Sequence, residues 1–233
     1  MSVVIPVFNE EGNIAPLAAE VVSALSSQTR SFEVVFVDDA STDGTASVIK
    51  KCSASDPRVR GLRHANNSGQ SAALWTGIRH SHSPVLATMD GDRQNDPSDL
   101  LCLLEHLKEA DLVCGHRVDR LDSWLRKASS RIAFLARKQI LGANFKDTGC
   151  ALRVFRRSAV EDILPFNGVH RFLPILVHGA GGRVLEVPVK HRARVSGVSK
   201  YGVWNRVWRG LYDLLGVGWH LRRRLPRTPL ADG

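Results

Sequence analysis

Asp90, Asp92 and Gln94 occupy every second position of the segment TMDGDRQNDP, residues 88–97. Three carboxylates, Asp90, Asp92 and Asp96, fall within seven residues of a chain whose formal net charge is +9. In an extended chain, alternate positions share a face, which would present two carboxylates and an amide oxygen together. Two carboxylates that close repel unless a cation sits between them. Oxygen-only ligands select Mg2+ or Mn2+ over zinc, and such ions keep positions open for substrate phosphates. A cation held there would neutralise charge developing on a diphosphate leaving group. The same residue types also suit a solvated turn, so the elements around them have to decide.

The apolar run before Asp90, PVLATMD (84–90), reads as a strand. Other strand-length runs are 2–8, 32–39, 59–64 and 111–117, and helical spacing covers 13–27, 42–52, 68–81 and 97–107. Ser41 or Thr42 is the expected N-cap of the second helix, and Asp96 with Pro97 the start of the fourth. Strands that alternate with helices and are nearly continuous in apolar residues predict a mostly parallel, Rossmann-like α/β sheet with helices on both faces. Ligands of such sheets bind beyond the carboxyl ends of the strands. Asn9-Glu10-Glu11, Asp38-Asp39, Asn66-Asn67 and Asp90-Gly91-Asp92 each follow a strand, so all four clusters should meet on one rim. Asp38 and Asp39 have two readings: acceptors for a nucleoside base or ribose, or a turn cluster satisfied by Ser41, Thr42 and Asp43. No Walker loop and no G-x-G-x-x-G occurs, which disfavours an NTPase or a nicotinamide dehydrogenase.

Beyond residue 120 the pattern changes. A basic helix is expected over 124–141, a short strand over 151–157 after DTGC, a helix over 170–182 and a strand over 183–195. An amphipathic helix over 203–221 sets Trp204, Trp208, Leu211, Leu215 and Trp219 near one side. That stripe reads either as core or as contact with the headgroup region of a membrane. The expected organisation is one domain over 1–202, in two halves, 1–117 and 118–202. The amphipathic helix and a basic tail over 222–233 follow.

The chain has 233 residues, 43% apolar and 24% charged, enough for a sizeable core and ordinary for a soluble globular protein. An excess of 32 Lys and Arg over 23 Asp and Glu calls for an anionic partner: nucleic acid, a phosphorylated ligand or an anionic membrane surface. A carboxylate rim would repel nucleic acid, so that partner is set aside. Cys52, Cys102, Cys114 and Cys150 lack metal-site spacing and read as mostly buried free thiols of a reducing compartment. No apolar run reaches the roughly 18–20 residues of a bilayer span, and the N-terminus reads as a first strand rather than a signal peptide. Membrane contact is therefore expected to be peripheral.

In order, PVFNEEGNI, VVFVDDASTDGT, NSGQSAALWTGI, MDGDRQNDP, DTGCALRVFRR and RVSGVSKYG resemble the inverting GT-A glycosyltransferases of family 2. The likeness spans residues 2–205 and is greatest to the dolichol-phosphate mannose synthase branch and its polyprenyl-phosphate relatives. It implies Asp90, Asp92 and Gln94 as ligands of Mg2+ or Mn2+, and a nucleotide-sugar site at Pro6, Phe8, Glu10, Asp38, Asp39 and Asp90. It implies catalytic roles for Asp92 and Arg117, and an acceptor-phosphate site at Arg117, Arg126, Ser130, Arg194 and Lys200. Asp147 would bind a sugar hydroxyl or cap the next element. Phe8 stands where Tyr is common, removing a hydroxyl contact; Gly91 stands where Ala is common, an exchange expected to be harmless. The C-terminal transmembrane region frequent in the family is not seen.

The implied reaction moves a hexosyl group, mannose first, from GDP-mannose or a UDP-hexose to dolichyl or undecaprenyl phosphate. It would run at the cytosolic face of the membrane, with the protein held peripherally on anionic lipid and room left for a separate membrane anchor protein. A phosphate acceptor is already ionised near neutral pH and attacks without a general base; the site must supply cations and in-line alignment. The alternative within the family is a UDP-sugar with a non-lipid saccharide acceptor. Arg131, Arg137 and Lys138 read equally as a solvated helix face. The histidines, His170 included, are assigned to structure or surface.

Overall fold

The structure is a computed structural model that describes residues 1–27, 31–118, 138–139, 141–142, 144–192 and 203–225, with side chains of the last segment from 210 onward. The expected alternation appears as β1 (Ser2–Val7), α1 (Glu11–Ser26), β2 (Glu33–Asp38), α2 (Thr45–Ser55), β3 (Val59–Arg63), α3 (Gln70–His80), β4 (Val85–Thr88), α4 (Asp99–His106) and β5 (Leu112–Arg117). After these come β6 (Arg153–Arg156), α5 (Val169–Gly179), β7 (Val184–Val189) and α6 (Val203–Arg223).

Among the described residues, one seven-stranded sheet runs in the order β3-β2-β1-β4-β6-β5-β7. All pairings are parallel except those of β6, which lies antiparallel between β4 and β5. Its reversed direction brings the preceding turn, DTGC, to the carboxyl ends of β4 and β5. The Thr88 hydroxyl donates to Ala151 O at 2.7 Å and ties that turn to the end of β4.

Strand side chains alternate between two buried layers, as period-two geometry requires. Val3, Ile5, Val34 and Phe36 pack with Ile14 and Leu17 of α1, Ile49 of α2, and Leu100 and Leu103 of α4. Val4, Val35, Val37, Leu112 and Phe155 pack with Leu74 and Ile78 of α3 and Leu173 of α5. A fully buried Leu, Ile or Phe contributes roughly 1.5–3 kcal/mol, so these two layers are the main force holding the rim in place.

Among the described side chains of α6, the buried hydrophobic ones are Leu214 and Val217, which belong to the layer formed with α5. Arg171 of α5 pairs with Asp213 at 3.1 Å. Leu211, Leu215 and Trp219, expected to share a stripe, do share one, and it faces outward with Tyr212. Helical geometry separates the two sets: positions 214 and 217 are centred about 130° around the helix from 211, 215 and 219. The side chains of Trp204 and Trp208 lie outside the described residues. All four cysteines are free thiols: Cys114 and Cys150 are buried, Cys52 is half-buried and Cys102 is exposed.

Candidate active site

The loops after β1 and β2 are sewn together by side chains. Asn9 N donates to Ser41 Oγ (2.9 Å), Thr42 N donates to Asn9 Oδ1 (2.8 Å) and Glu10 N donates to Thr45 Oγ1 (2.9 Å). Ser41 and Thr42 are thus engaged by the Asn9 loop instead of capping α2. The N-cap position is Gly44, and Asp43 just before it accepts from Thr45 N at 3.0 Å. Asn9, Ala40 and Arg93 have left-handed backbones, with φ of 53°, 61° and 61°. Such torsions cost of order 1–3 kcal/mol in non-glycine residues and collect at functional rims. Here they follow β1, β2 and β4.

Asp38 and Asp39 leave β2 on opposite faces. Asp38, only 1% exposed, accepts from Ser41 N at 2.9 Å, and Arg63 Nε lies 3.3 Å from its other oxygen without hydrogen-bond alignment. Asp39 accepts from Ser68 N (2.9 Å) and Gly69 N (2.7 Å), and it meets His64 Nδ1 at 2.7 Å. Gly69 can aim its N–H this way because its φ is +89°, which suits glycine. The carboxylate of Asp39 therefore closes the loop between β3 and α3. Pro6 pairs with Val37 in the register and lies on the Asp39 side of the sheet. Phe8 and Glu10 follow β1 directly, and Glu10 accepts from Asn13 Nδ2 at 2.6 Å.

The next residue of that loop reaches the acidic segment: Gln70, first in α3, donates from Nε2 to Asp90 Oδ1 at 2.9 Å. Residues 90–94 are not extended, as alternate spacing predicted, but form a turn. Arg93 is left-handed, and Gln94 N donates back to Asp92 Oδ1 at 3.2 Å. Gln94 Nε2 points to Arg192 O at 3.4 Å. The turn replaces the shared face of a strand by local bonds that an Asp side chain offers its own backbone. Asp96 belongs to another group, accepting from Ser98 N and Arg192 Nη2, each at 3.0 Å. Gly91 is not interchangeable with Ala, contrary to expectation: a Cβ there would stand 2.6 Å from Val7 Cγ1.

Arg117 ends β5. Its Nε and Nη2 lie 2.7 and 2.9 Å from the two carboxylate oxygens of Asp147 in the DTGC turn. Asp147 N in turn donates to Glu186 at 3.0 Å. Burial works against the Arg117 charge, but the hydrogen bonds and charge of Asp147 outweigh it and hold its pKa above the ordinary arginine value. Asp90 follows β4 and Arg117 ends β5, so both stand at the carboxyl side of the sheet. Arg126, Ser130, Arg194 and Lys200 lie outside the described residues.

His64 and Gln70 escaped the sequence reading, although both follow a strand as the acidic clusters do. His170 is buried; its Nδ1 meets Ser71 Oγ at 2.7 Å, and burial, with Arg171 and Arg153, depresses its pKa to about 3. Among the described residues no three His, Cys, Asp or Glu side chains form a metal cluster. The donors at Asp90, Asp92 and Gln94 are oxygens from two carboxylates and one amide, few enough to leave positions for diphosphate oxygens. That set fits Mg2+ or Mn2+.

A mostly parallel sheet with one antiparallel insertion and an acidic rim at its carboxyl edge defines a GT-A glycosyltransferase class of molecule. Residues 2–164 match the family model described as glycosyl transferase family 2, and the chain belongs to that family. Among curated relatives, it is 38% identical over 228 residues to a dodecaprenyl-phosphate galacturonate synthase of Rhizobium johnstonii, covering 95% of this chain and 67% of the relative. It is 35% identical over 218 residues to an undecaprenyl-phosphate 4-deoxy-4-formamido-L-arabinose transferase of Edwardsiella ictaluri, covering 92% and 66%. The chain thus spans about two thirds of the length of these relatives. A crystal structure of Mycobacterium tuberculosis glucosyl-3-phosphoglycerate synthase, containing Mn2+, UDP and glucosyl-3-phosphoglycerate, superposes with a TM-score of 0.68 at 17% identity, covering 97% of this chain and 81% of that one.

Proposed function

We propose that the protein transfers a glycosyl group, with inversion, from a nucleoside-diphosphate sugar to a polyprenyl phosphate. The observation that carries this reading is the placement of the Asp90–Gln94 turn and of Arg117, gripped by Asp147, beyond the carboxyl ends of β4 and β5 on one side of the sheet, in a chain whose relatives are named for polyprenyl-phosphate glycosyl transfer. Asp90, Asp92 and Gln94 hold the divalent ion, which on binding supplies neutralisation of the diphosphate leaving group. Pro6, Phe8, Glu10 and Asp39 shape the nucleoside side. Asp39 does so by fixing the Ser68–Gly69 loop, with its carboxylate already engaged. Arg117 orients the anionic acceptor, joined by Arg126, Ser130, Arg194 and Lys200.

A phosphate oxygen that is ionised at neutral pH needs alignment rather than proton removal. The bidentate grip of Asp147 on Arg117 presets that alignment, because it fixes the plane of the guanidinium.

No helix among the described residues is long and apolar enough to cross a membrane. The outward stripe of Leu211, Leu215 and Trp219, with exposed Arg222 and Arg223 one turn on, suits peripheral seating on anionic lipid at the cytosolic face. The deciding experiment is a panel of GDP-mannose, UDP-hexoses and UDP-hexuronates, with Mg2+ or Mn2+, offered a short polyprenyl phosphate. Metal-dependent appearance of labelled sugar in the organic phase supports the reading; transfer only to water-soluble saccharides overturns it.

A further inference from the structure

Glu20 lies on the third turn of α1, and it holds two arginines from distant parts of the chain. Arg93 donates to Glu20 Oε1 from Nε (3.1 Å) and Nη2 (2.5 Å). Arg192 donates to Glu20 Oε2 from Nη1 at 2.6 Å, and its Nη2 lies 3.0 Å from Asp96. Arg93 is the left-handed residue inside the Asp90–Gln94 turn. Arg192 is three residues past the end of β7, and two residues further on stands Arg194, an acceptor-phosphate candidate.

The two arginine-bearing segments also grip each other. Arg192 N donates to Gln94 O at 2.9 Å, Gln94 Nε2 returns to Arg192 O, and Asn95 pairs with His191 as an antiparallel bridge. Lys190 N donates to Asp99 Oδ2 at 2.8 Å. Burial alone would raise the Glu20 pKa, and the hydrogen bonds from Arg93 and Arg192 carry it below the ordinary value instead. The carboxylate stays charged and can hold both cations at once.

We infer that Glu20 is a positioning residue: it fixes the metal-binding turn through Arg93 and the β7 exit through Arg192, so that the two move as one unit. The identification of the two segments as metal side and acceptor side rests on the function proposed above; the mechanical linkage does not. A left-handed Arg is the expected cost of this arrangement. Its side chain must leave the turn toward α1 to reach Glu20, while Asp92 and Gln94 on either side remain with the rim.

The test uses Glu20→Gln and Arg93→Gly in the full chain. Arg93→Gly tolerates the left-handed torsion but lacks the Glu20 partner. Backbone amide exchange is followed by mass spectrometry in metal-free protein over residues 89–98 and 186–193. Both variants should accelerate exchange in both stretches by about tenfold while β1 to β3 remain at wild-type rates. Acceleration of one stretch alone, or of neither, overturns the linkage. Titration with Mn2+ in the presence of UDP or GDP is the second readout. Both variants should weaken Mn2+ about five- to tenfold, whereas a merely structural Glu20 would leave that affinity at the wild-type value. Should the wild-type chain bind no Mn2+ with either nucleotide, the functional reading fails and the exchange result alone decides the linkage.

Discussion

Arg117 and Asp147 form a two-pronged ion pair between the end of β5 and the DTGC turn, with both carboxylate oxygens within 2.9 Å of guanidinium nitrogens. Removing the anion leaves a mostly covered cation without its main counter-charge. Asp147→Ala should lower unfolding stability by about 3 kcal/mol in urea titrations. Arg117→Lys keeps the charge but loses the planar fork; it should fold normally and lose about 100-fold in turnover with polyprenyl phosphate.

Asp92 is nearly buried and caps its own turn through Gln94 N. Asp92→Asn retains an oxygen for that bond and forfeits the charge. Its melting temperature should stay within a few degrees of the wild type, while metal-dependent transfer falls about a thousand-fold, the equivalent of several kcal/mol. Chelation should silence the wild type reversibly, with activity returning on addition of Mn2+.

His170 supplies a pH signature. Its pKa is depressed from 6.5 to about 3 in the folded chain by burial and by the charges of Arg171 and Arg153. Between those values the unfolded state binds the additional proton, so stability is fully present above pH 6.5 and is lost as the pH falls. The slope reaches at most about 1.4 kcal/mol per pH unit. In His170→Asn this part of the slope should vanish, read as a flatter dependence of the urea midpoint between pH 6.5 and 4.5.

Ala40 has a φ of 61° in the loop between β2 and α2. Ala40→Gly relieves the Cβ clash of that torsion, offset in part by the greater freedom of glycine in the unfolded chain. A net gain of about 1 kcal/mol is expected in thermal unfolding, with nucleotide affinity unchanged.

The exposed stripe of α6 should report itself on lipid. Trp219 is 67% exposed and stands with Leu211 and Leu215. Trp219→Ala should reduce co-sedimentation with anionic vesicles about tenfold, the worth of roughly 1.4 kcal/mol of lost apolar and interfacial contact. Vesicles of neutral lipid should bind the wild type less well, because Arg222 and Arg223 then lack a counter-charge.

The strands and helices of the first 117 residues were legible because buried parallel strands are apolar on both faces and their helices keep a 3.6-residue period. Val3 to Val7 and Val34 to Val37 show this directly. The convergence of Asn9, Asp39 and Asp90 was legible too, since the rule about carboxyl ends depends only on element order. The direction of β6 was not: four residues, Arg153–Arg156, carry no periodic signal of orientation, and position in a sheet depends on distant partners. Nor was the turn at Asp90–Gln94, where the spacing of Asp90 and Asp92 fits an extended chain as well as the bent one. The outward aspect of Leu211 and Trp219 was hidden for a related reason. On α6 both faces bear apolar residues, and only the presence of α5 decides which is covered.

The reversed strand β6 has a consequence for how this protein can be cut or recombined. The residues that wedge β4 apart from β5 arrive from downstream of Arg117. A fragment ending there would leave β4 with a raw edge, strip β5 of both its strand partners and forfeit Asp147 as counter-ion. Grafting a foreign segment after Arg117 must therefore carry the Arg153–Arg156 segment with it, or the hybrid will lack the keystone of its own sheet.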